Sequence, residues 1–331
     1  MTITILGEGA WATACASLLA HNGHTVTLWC RTPQVQADIH FNNKNYLYAP
    51  FASELSPLIK STCNLQQAIE EAELIFQAIP VKFLRSVLEQ AKPFILPTTR
   101  WVLLSKGIET TSLLVSSQIL ESVLGYSPEL AILSGPSFAQ EVIEKKFTAV
   151  MLASTNLPLS TLVKQLIQTS YFKTVSTPDI LGVQAAAALK NCIALGAGFI
   201  QEAYASDNMR ALFITQALGE LSTLLKALGA DASTLSSLAG LGDCILTAFS
   251  TQSRNTHVGK SLAQGITLAH ITHNSLTIPE SINTLQALKE LANKYKLDLP
   301  LHVALYKLVY EKAHPSILHT ALSDSLANLS T

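Results

Sequence analysis

The stretch TITILGEGAWATACASLLAHNGHTVTLWCR, residues 2–31, decides the fold. A short β-rich run (2–6) leads into GEGAWA (7–12), a helix-like run covers 10–22, and a second β-rich run follows at 25–30. Apolar strands separated by a helical pattern predict a β-α-β unit with parallel strands. Gly7-x-Gly9-x-x-Ala12 stands directly after the first strand and opens the helix. That is a dinucleotide-binding pattern: Gly7 permits the tight turn, Gly9 lets the backbone approach a pyrophosphate, and Ala12 allows close helix–strand packing. The N–H groups at the helix N-terminus are left for the phosphates.

The end of the second strand bears on which dinucleotide is bound. An NAD-selective site places an acidic residue there, on the ribose hydroxyls. Here Arg31 and Thr32 follow the strand, with no acidic residue after them until Asp38. A guanidinium suits a 2′-phosphate through paired hydrogen bonds and stacking on the adenine. NADP(H) is therefore favoured, with NAD(H) possible.

Further strands are predicted at 73–79, 100–105, 130–135, 147–154 and 171–177, in a helix-covered parallel sheet. The segment 44–62 fits neither helix nor strand and reads as an irregular excursion. Beyond Thr177-Pro178-Asp179 the β pattern ends, and 180–204, 208–229, 233–240, 256–264, 281–296 and 300–313 show helical spacing. Pro and an acidic residue there mark a helix start. The expected architecture is an α/β Rossmann-type dinucleotide-binding domain over 1–178, then an all-α domain over 179–331.

The chain has 331 residues, 48% of them apolar and only 14% charged, against about 25% in an average protein. So little charge on a long chain points to surface covered by a second copy, a homodimer. The net charge is −1, from 22 basic and 23 acidic residues, with no basic block, which excludes the usual nucleic-acid-binding footprint. Five cysteines lie scattered without metal-like spacing, as expected of a reduced cytoplasmic protein with no metal.

One run resists the ordinary reading. In AAAALKNCIALGAG (185–198) Lys190 interrupts an apolar helix, where an unpaired ammonium is costly. A membrane span over 181–200 would pay about 2.5–3.5 kcal/mol for a central lysine and is rejected. Two readings remain: a lysine whose ammonium reaches out of a core helix, or one held in a dry site because chemistry needs it there.

Four more blocks carry polar residues in places that packing alone does not require. SKGIE (105–109) puts Lys106 just after a predicted strand, where ligands of open sheets bind. SGPSFA (134–139) carries Gly135, Ser137 and Ala139, and GLGD (240–243) ends on Asp243. Ser253-Arg254-Asn255 combines a helix-capping serine with an arginine, a phosphate-holding arrangement. TIPES (277–281) carries Glu280. GPSFA also lies one residue from a hydrolase nucleophile elbow, but Pro136 before the serine and the N-terminal glycine pattern speak against that reading.

Taken together and in this order, the GxGxW loop, SKGIE, SGPSFA, AALKN, GLGD and SRN resemble bacterial-type NAD(P)-dependent glycerol-3-phosphate dehydrogenases. The resemblance runs over nearly the whole chain. It implies reversible, NAD(P)H-dependent reduction of dihydroxyacetone phosphate to sn-glycerol 3-phosphate, supplying glycerophospholipid synthesis in the cytoplasm. It also implies roles at matching positions. Lys190 is the proton donor and acceptor. Lys106, Gly135, Ser137, Lys190, Asp243, Ser253, Arg254 and Asn255 meet the substrate. Gly7, Gly9, Ala10, Trp11, Arg31, Lys106, Ala139, Arg254, Ile278 and Glu280 meet the cofactor. The sequence departs from the family pattern at Ala12, often glycine, and at Pro279 and Ser281, where the family often has VVEG or VAEG in place of IPES.

Overall fold

Ile3, Ile5 and Leu6 are buried, as are Leu74, Ile75 and Phe76, so the strands carrying them have both faces covered. That is the environment of central strands in a parallel sheet packed by helices. In the computed structural model, which describes residues 1–273 and 279–327, these runs form β1 (Ile3–Leu6) and β4 (Leu74–Gln77). The other strands are β2 (Val26–Trp29), β3 (Ile59–Thr62), β5 (Arg100–Leu103), β6 (Leu130–Ser134), β7 (Thr148–Ala153) and β8 (Phe172–Thr177). They make one eight-stranded sheet in the order β3-β2-β1-β4-β5-β6-β7-β8. Pairings from β3 across to β6 are parallel, and the reversal of order at β1 and β4 is the switch point of a doubly wound sheet.

Two features correct the sequence reading. β3 lies inside the segment taken as irregular. It is an edge strand with only Ile59 buried, so its sequence IKST carries no apolar run to announce it. β6 and β7 are antiparallel rather than parallel. Between them stands only the five-residue helix Ala139–Ile143. At 1.5 Å per residue it rises about 7–8 Å, short of the roughly 17 Å that a five-residue strand spans, so the chain turns back instead of crossing over.

The chain divides into two compact units. The first is Met1–Ser105 with Ser116–Ile180, and the second is Lys106–Val115 with Leu181–Thr331. The segment Lys106–Val115, counted with the first domain by a boundary at 178/179, belongs to the second: Ile108 and Val115 bridge each other and join its core.

The second unit is helical apart from that isolated bridge among its described residues. Its axis is the helix Ile180–Tyr204, in which every residue from Gly182 to Ile200 is buried. It is long and apolar enough to cross a membrane by length and composition, but 89% of its most apolar window is buried inside the protein. A helix apolar on all sides is a core helix. Around it pack Asp207–Ala227, Asp243–Phe249, Arg254–Ala263, Glu280–Tyr295 and Pro300–Tyr310. The helix expected over 233–240 is instead a 3-10 turn, Ala232–Ser236, followed by a π-helical turn, Leu238–Gly242.

Two glycines let the helix Arg254–Ala263 lie directly on the core helix. A methyl group on Gly259 would fall 2.0 Å from the Leu195 carbonyl oxygen, and one on Gly198 would fall 2.2 Å from that of Thr256. Backbone touches backbone at this crossing, which places the start of the second helix beside Asn191.

Candidate active site

In the first unit, Gly7 has φ +136°, a conformation that side chains disfavour, and a methyl on it would fall 3.1 Å from the Ala78 carbonyl. Gly9 is the N-cap of the helix Ala10–His21 and has no side chain to occupy the helix N–H groups. A methyl on Gly9 would meet no described atom within 4 Å. The loop thus has the open backbone cradle at a helix start that a dinucleotide pyrophosphate needs. Ala10 begins that helix, and Trp11 packs half-buried on the core of the first unit. Arg31 is exposed just past β2.

Two residues here carry no signal in the sequence patterns. Asn45 is 1% exposed and donates from Nδ2 to the Glu8 carbonyl oxygen at 2.8 Å and to Thr13 Oγ1 at 2.9 Å, pinning the loop. It lies in the segment read as irregular, where no periodicity marks it. Glu8 fills a variable position of the glycine pattern, and its carboxylate accepts hydrogen bonds from the hydroxyl and the backbone N–H of Thr32. Also in the first unit, Gly135 lies against β7, where a methyl would come 2.8 Å from Val150 Cα. The Ser137 hydroxyl donates to the Gly135 carbonyl at 3.0 Å, and Ala139 begins the short helix Ala139–Ile143.

In the second unit, Lys190 finds its partners. Asp243 opens the helix Asp243–Phe249, directly after the π-helical turn, and is 3% exposed. Its Oδ1 lies 3.1 Å from Lys190 Nζ and its Oδ2 lies 2.6 Å from Lys106 Nζ. One carboxylate therefore bridges two ammonium groups. Thr247, one turn further along the same helix, accepts from Lys190 Nζ at 2.5 Å and donates to the Asp243 carbonyl oxygen at 2.6 Å. The sequence reading missed Thr247; its only signal is the four-residue spacing from Asp243.

Lys190 is 4% exposed. Burial drives its pKa below the ordinary value of 10.5, the nearby Lys106 charge adds to that, and Asp243 works in the opposite direction. Burial alone would raise the Asp243 carboxyl. The charges and hydrogen bonds of Lys106 and Lys190 outweigh burial and hold it below its ordinary value. The result is a dry carboxylate kept ionised beside an ammonium poised to release its proton.

Ser253 caps the helix Arg254–Ala263, accepting from the Thr256 N–H at 3.2 Å. Asn255 donates from Nδ2 to Asn191 Oδ1 at 3.0 Å, one residue along from Lys190. Asn255 Oδ1 is buried with no hydrogen-bond partner among the described residues, so it can receive a donor. Arg254 is exposed at the same helix start. Lys106, Lys190, Asp243, Asn255 and Thr247 are thus gathered in one unit, while Gly7, Gly9, Ala10, Trp11, Arg31, Gly135, Ser137 and Ala139 stand in the other. Glu280 begins the helix Glu280–Tyr295 after Pro279 in ordinary extended backbone, and Ser281 is buried. Ile278 lies outside the described residues. Among those residues no three His, Cys, Asp or Glu side chains gather as a metal site requires.

Known proteins resemble this chain over nearly its whole length. The family described as NAD-dependent glycerol-3-phosphate dehydrogenase matches in both its parts, the N-terminus over residues 2–160 and the C-terminus over residues 179–320. The chain is 38% identical over 306 residues to the glycerol-3-phosphate dehydrogenase (NAD(P)+) of Alcanivorax borkumensis, covering 92% of this chain and 89% of that one. It is 36% identical over 311 residues to that of Geobacter metallireducens, covering 93% and 92%. The crystal structure of the Coxiella burnetii glycerol-3-phosphate dehydrogenase superposes with a TM-score of 0.91 at 29% identity over 98% of each chain. The chain belongs to the NAD-dependent glycerol-3-phosphate dehydrogenase family.

Proposed function

We infer that this protein is an oxidoreductase that interconverts dihydroxyacetone phosphate and sn-glycerol 3-phosphate with a nicotinamide dinucleotide. The observation that carries the reading is the buried Lys190, bonded to a carboxylate that it shares with Lys106.

Bound at the glycine loop, the reduced cofactor supplies a hydride. The remaining work belongs to the chain. Lys190 gives a proton to the carbonyl oxygen at C2 as that carbon accepts the hydride, leaving a hydroxyl, and takes the proton back when the reaction runs in reverse. The ammonium groups of Lys190 and Lys106 offset the negative charge that builds on the oxygen, in a dry site where such a charge is felt strongly. Asp243 holds both lysines in place, and its charge keeps Lys190 protonated often enough to act as an acid. Arg254 and the helix start capped by Ser253 hold the phosphate, a dianion matched to a guanidinium and to the positive end of a helix. Asn255 Oδ1, Gly135 and Ser137 meet the polar remainder of the substrate. Gly7, Gly9, Ala10, Trp11, Ala139 and Glu280 hold the dinucleotide. Through Arg31 the site would favour NADP(H).

We place the activity in the cytoplasm, feeding glycerophospholipid synthesis, and assign the chain to a homodimer. The 14% charge content supports that assembly, and light scattering on the purified protein tests it. The central experiment follows oxidation of NADPH and NADH with dihydroxyacetone phosphate, for wild type and Lys190→Ala. Rapid turnover by wild type alone supports the reaction and the lysine. No turnover by a wild type that still binds dinucleotide rejects the substrate.

A further inference from the structure

The carboxylate of Glu8 is not loose in the glycine loop. Its Oε1 accepts the Thr32 hydroxyl at 2.7 Å and its Oε2 accepts the Thr32 N–H at 3.0 Å. Asn45 holds the Glu8 backbone oxygen at 2.8 Å. Thr32 directly follows Arg31 beyond the end of β2, where an acidic residue takes ribose hydroxyls in NAD sites and an arginine accommodates the 2′-phosphate in NADP sites. The end of β2 contributes Arg31 and no acid. The structure brings an acid there from residue 8.

We propose that Glu8 is the ribose-facing carboxylate of this site and that it opposes Arg31 in the choice between NAD(H) and NADP(H). The proposal rests on the reading that the glycine loop holds a dinucleotide. An ionised carboxylate has about four acceptor positions. Thr32 takes one on each oxygen, so each keeps capacity for a ribose hydroxyl. A 2′-phosphate donates no such hydrogen and carries about −1.5 to −2 charges toward Glu8 at neutral pH. The two hydrogen bonds from Thr32 keep the carboxylate from rotating away. Arg31, exposed beside Thr32, attracts the same phosphate. Burial first, and then the Glu8 charge, raise the Cys30 thiol to about 12 and lift the Cys63 thiol above its ordinary value. Wild type therefore accepts both dinucleotides, and the ratio between them is set by two side chains of opposite charge.

The test is calorimetric titration of the purified protein, without triose phosphate, by NADH, NADPH, ADP-ribose and its 2′-phosphorylated form. Wild type is compared with Glu8→Gln, Glu8→Ala and Arg31→Ala. Loss of the Glu8 charge is expected to move the affinity ratio toward the 2′-phosphorylated ligands by about tenfold or more, the scale of a like-charge contact removed. Arg31→Ala is expected to move it the other way. Thr32→Val keeps the charge and the backbone N–H bond to Oε2 but removes the hydroxyl bond to Oε1, and should move the ratio toward NADPH by a smaller factor. A ratio within about twofold of wild type in the Glu8 variants, or in Thr32→Val where the Glu8 variants fail to fold, overturns the proposal and leaves Glu8 as a clamp on Thr32. A wild type that binds both dinucleotides but does not reduce dihydroxyacetone phosphate rejects the reaction and leaves the selectivity result standing. One that binds neither overturns both.

Discussion

Lys190 and Asp243 lie 53 positions apart in the chain, yet Lys190 Nζ stands 3.1 Å from Asp243 Oδ1, with both side chains nearly sealed from solvent at 6% and 4% exposure. Neither charge is tolerable there alone. Removing one member of a buried pair leaves the other uncompensated, which typically costs about 3–5 kcal/mol. Lys106 on the second carboxylate oxygen makes the cluster a triad with one net positive charge, suited to an oxygen that becomes negative.

Replacing Lys190 with alanine should abolish the proton transfer while leaving the glycine loop untouched. Turnover of dihydroxyacetone phosphate is expected to fall by about two to four orders of magnitude, the range of general acid–base catalysis. Dinucleotide affinity, measured by fluorescence titration, should stay close to wild type. Comparable turnover in the variant would remove Lys190 from the mechanism.

The pH dependence has a definite sign. With Lys190 as the proposed acid, reduction uses its protonated form, so the rate should fall as pH rises through a pKa below the ordinary 10.5, and oxidation should rise over the same range. Asp243 raises that pKa. Asp243→Asn therefore moves the alkaline limb of the reduction profile to lower pH. A limb that stays in place or moves upward contradicts the assigned coupling. On the acid side the Asp243 carboxyl is held low, so its contribution to stability is present above the unfolded carboxylate value, near 3.9, and fades only as pH falls through its lower folded value.

Arg254 should speak for the phosphate alone. Arg254→Ala is expected to raise KM for dihydroxyacetone phosphate by about tenfold or more, the scale of a lost charge-assisted hydrogen bond. Turnover measured with unphosphorylated dihydroxyacetone should hardly change. Equal losses on both substrates would place Arg254 in folding rather than in phosphate binding.

At the helix crossing, Gly259→Ala forces a methyl against the Leu195 carbonyl. Overpacking of this kind costs about 1–3 kcal/mol or more. Chemical denaturation should show a loss in that range, and kcat should fall as the helix start at Ser253–Asn255 shifts from Asn191. Unchanged stability would mean that the two helices have room to separate.

Asn45→Ala removes two donated bonds from a residue 1% exposed and leaves Thr13 and the Glu8 carbonyl to find other partners. Unmet buried polar groups cost about 1–3 kcal/mol each. A thermal melt should drop and dinucleotide affinity should weaken together. A drop in the melt with unaltered affinity would confine Asn45 to stability.

The amino-acid sequence by itself determined the plan of this protein. Continuous apolar strands, a glycine loop between the first strand and first helix, and a change to helical spacing after Asp179 are local patterns, set by backbone sterics and burial within a few turns of chain. They were legible without coordinates, and so was the anomaly of Lys190 in an apolar helix. Tertiary structure decided what answers the anomaly. The partners of Asp243 are a lysine 53 residues upstream and another 137 residues upstream, and only packing selects them. The same holds for β3, an edge strand too polar to show a pattern, and for β7, turned antiparallel because the helix before it is short. It holds as well for Glu8, whose place at the end of β2 depends on a bond to Thr32 across 24 residues. Periodicity records which face of an element is buried. Which charge meets which across the fold is settled only when the elements pack, because a buried charge must find its partner wherever the chain brings one.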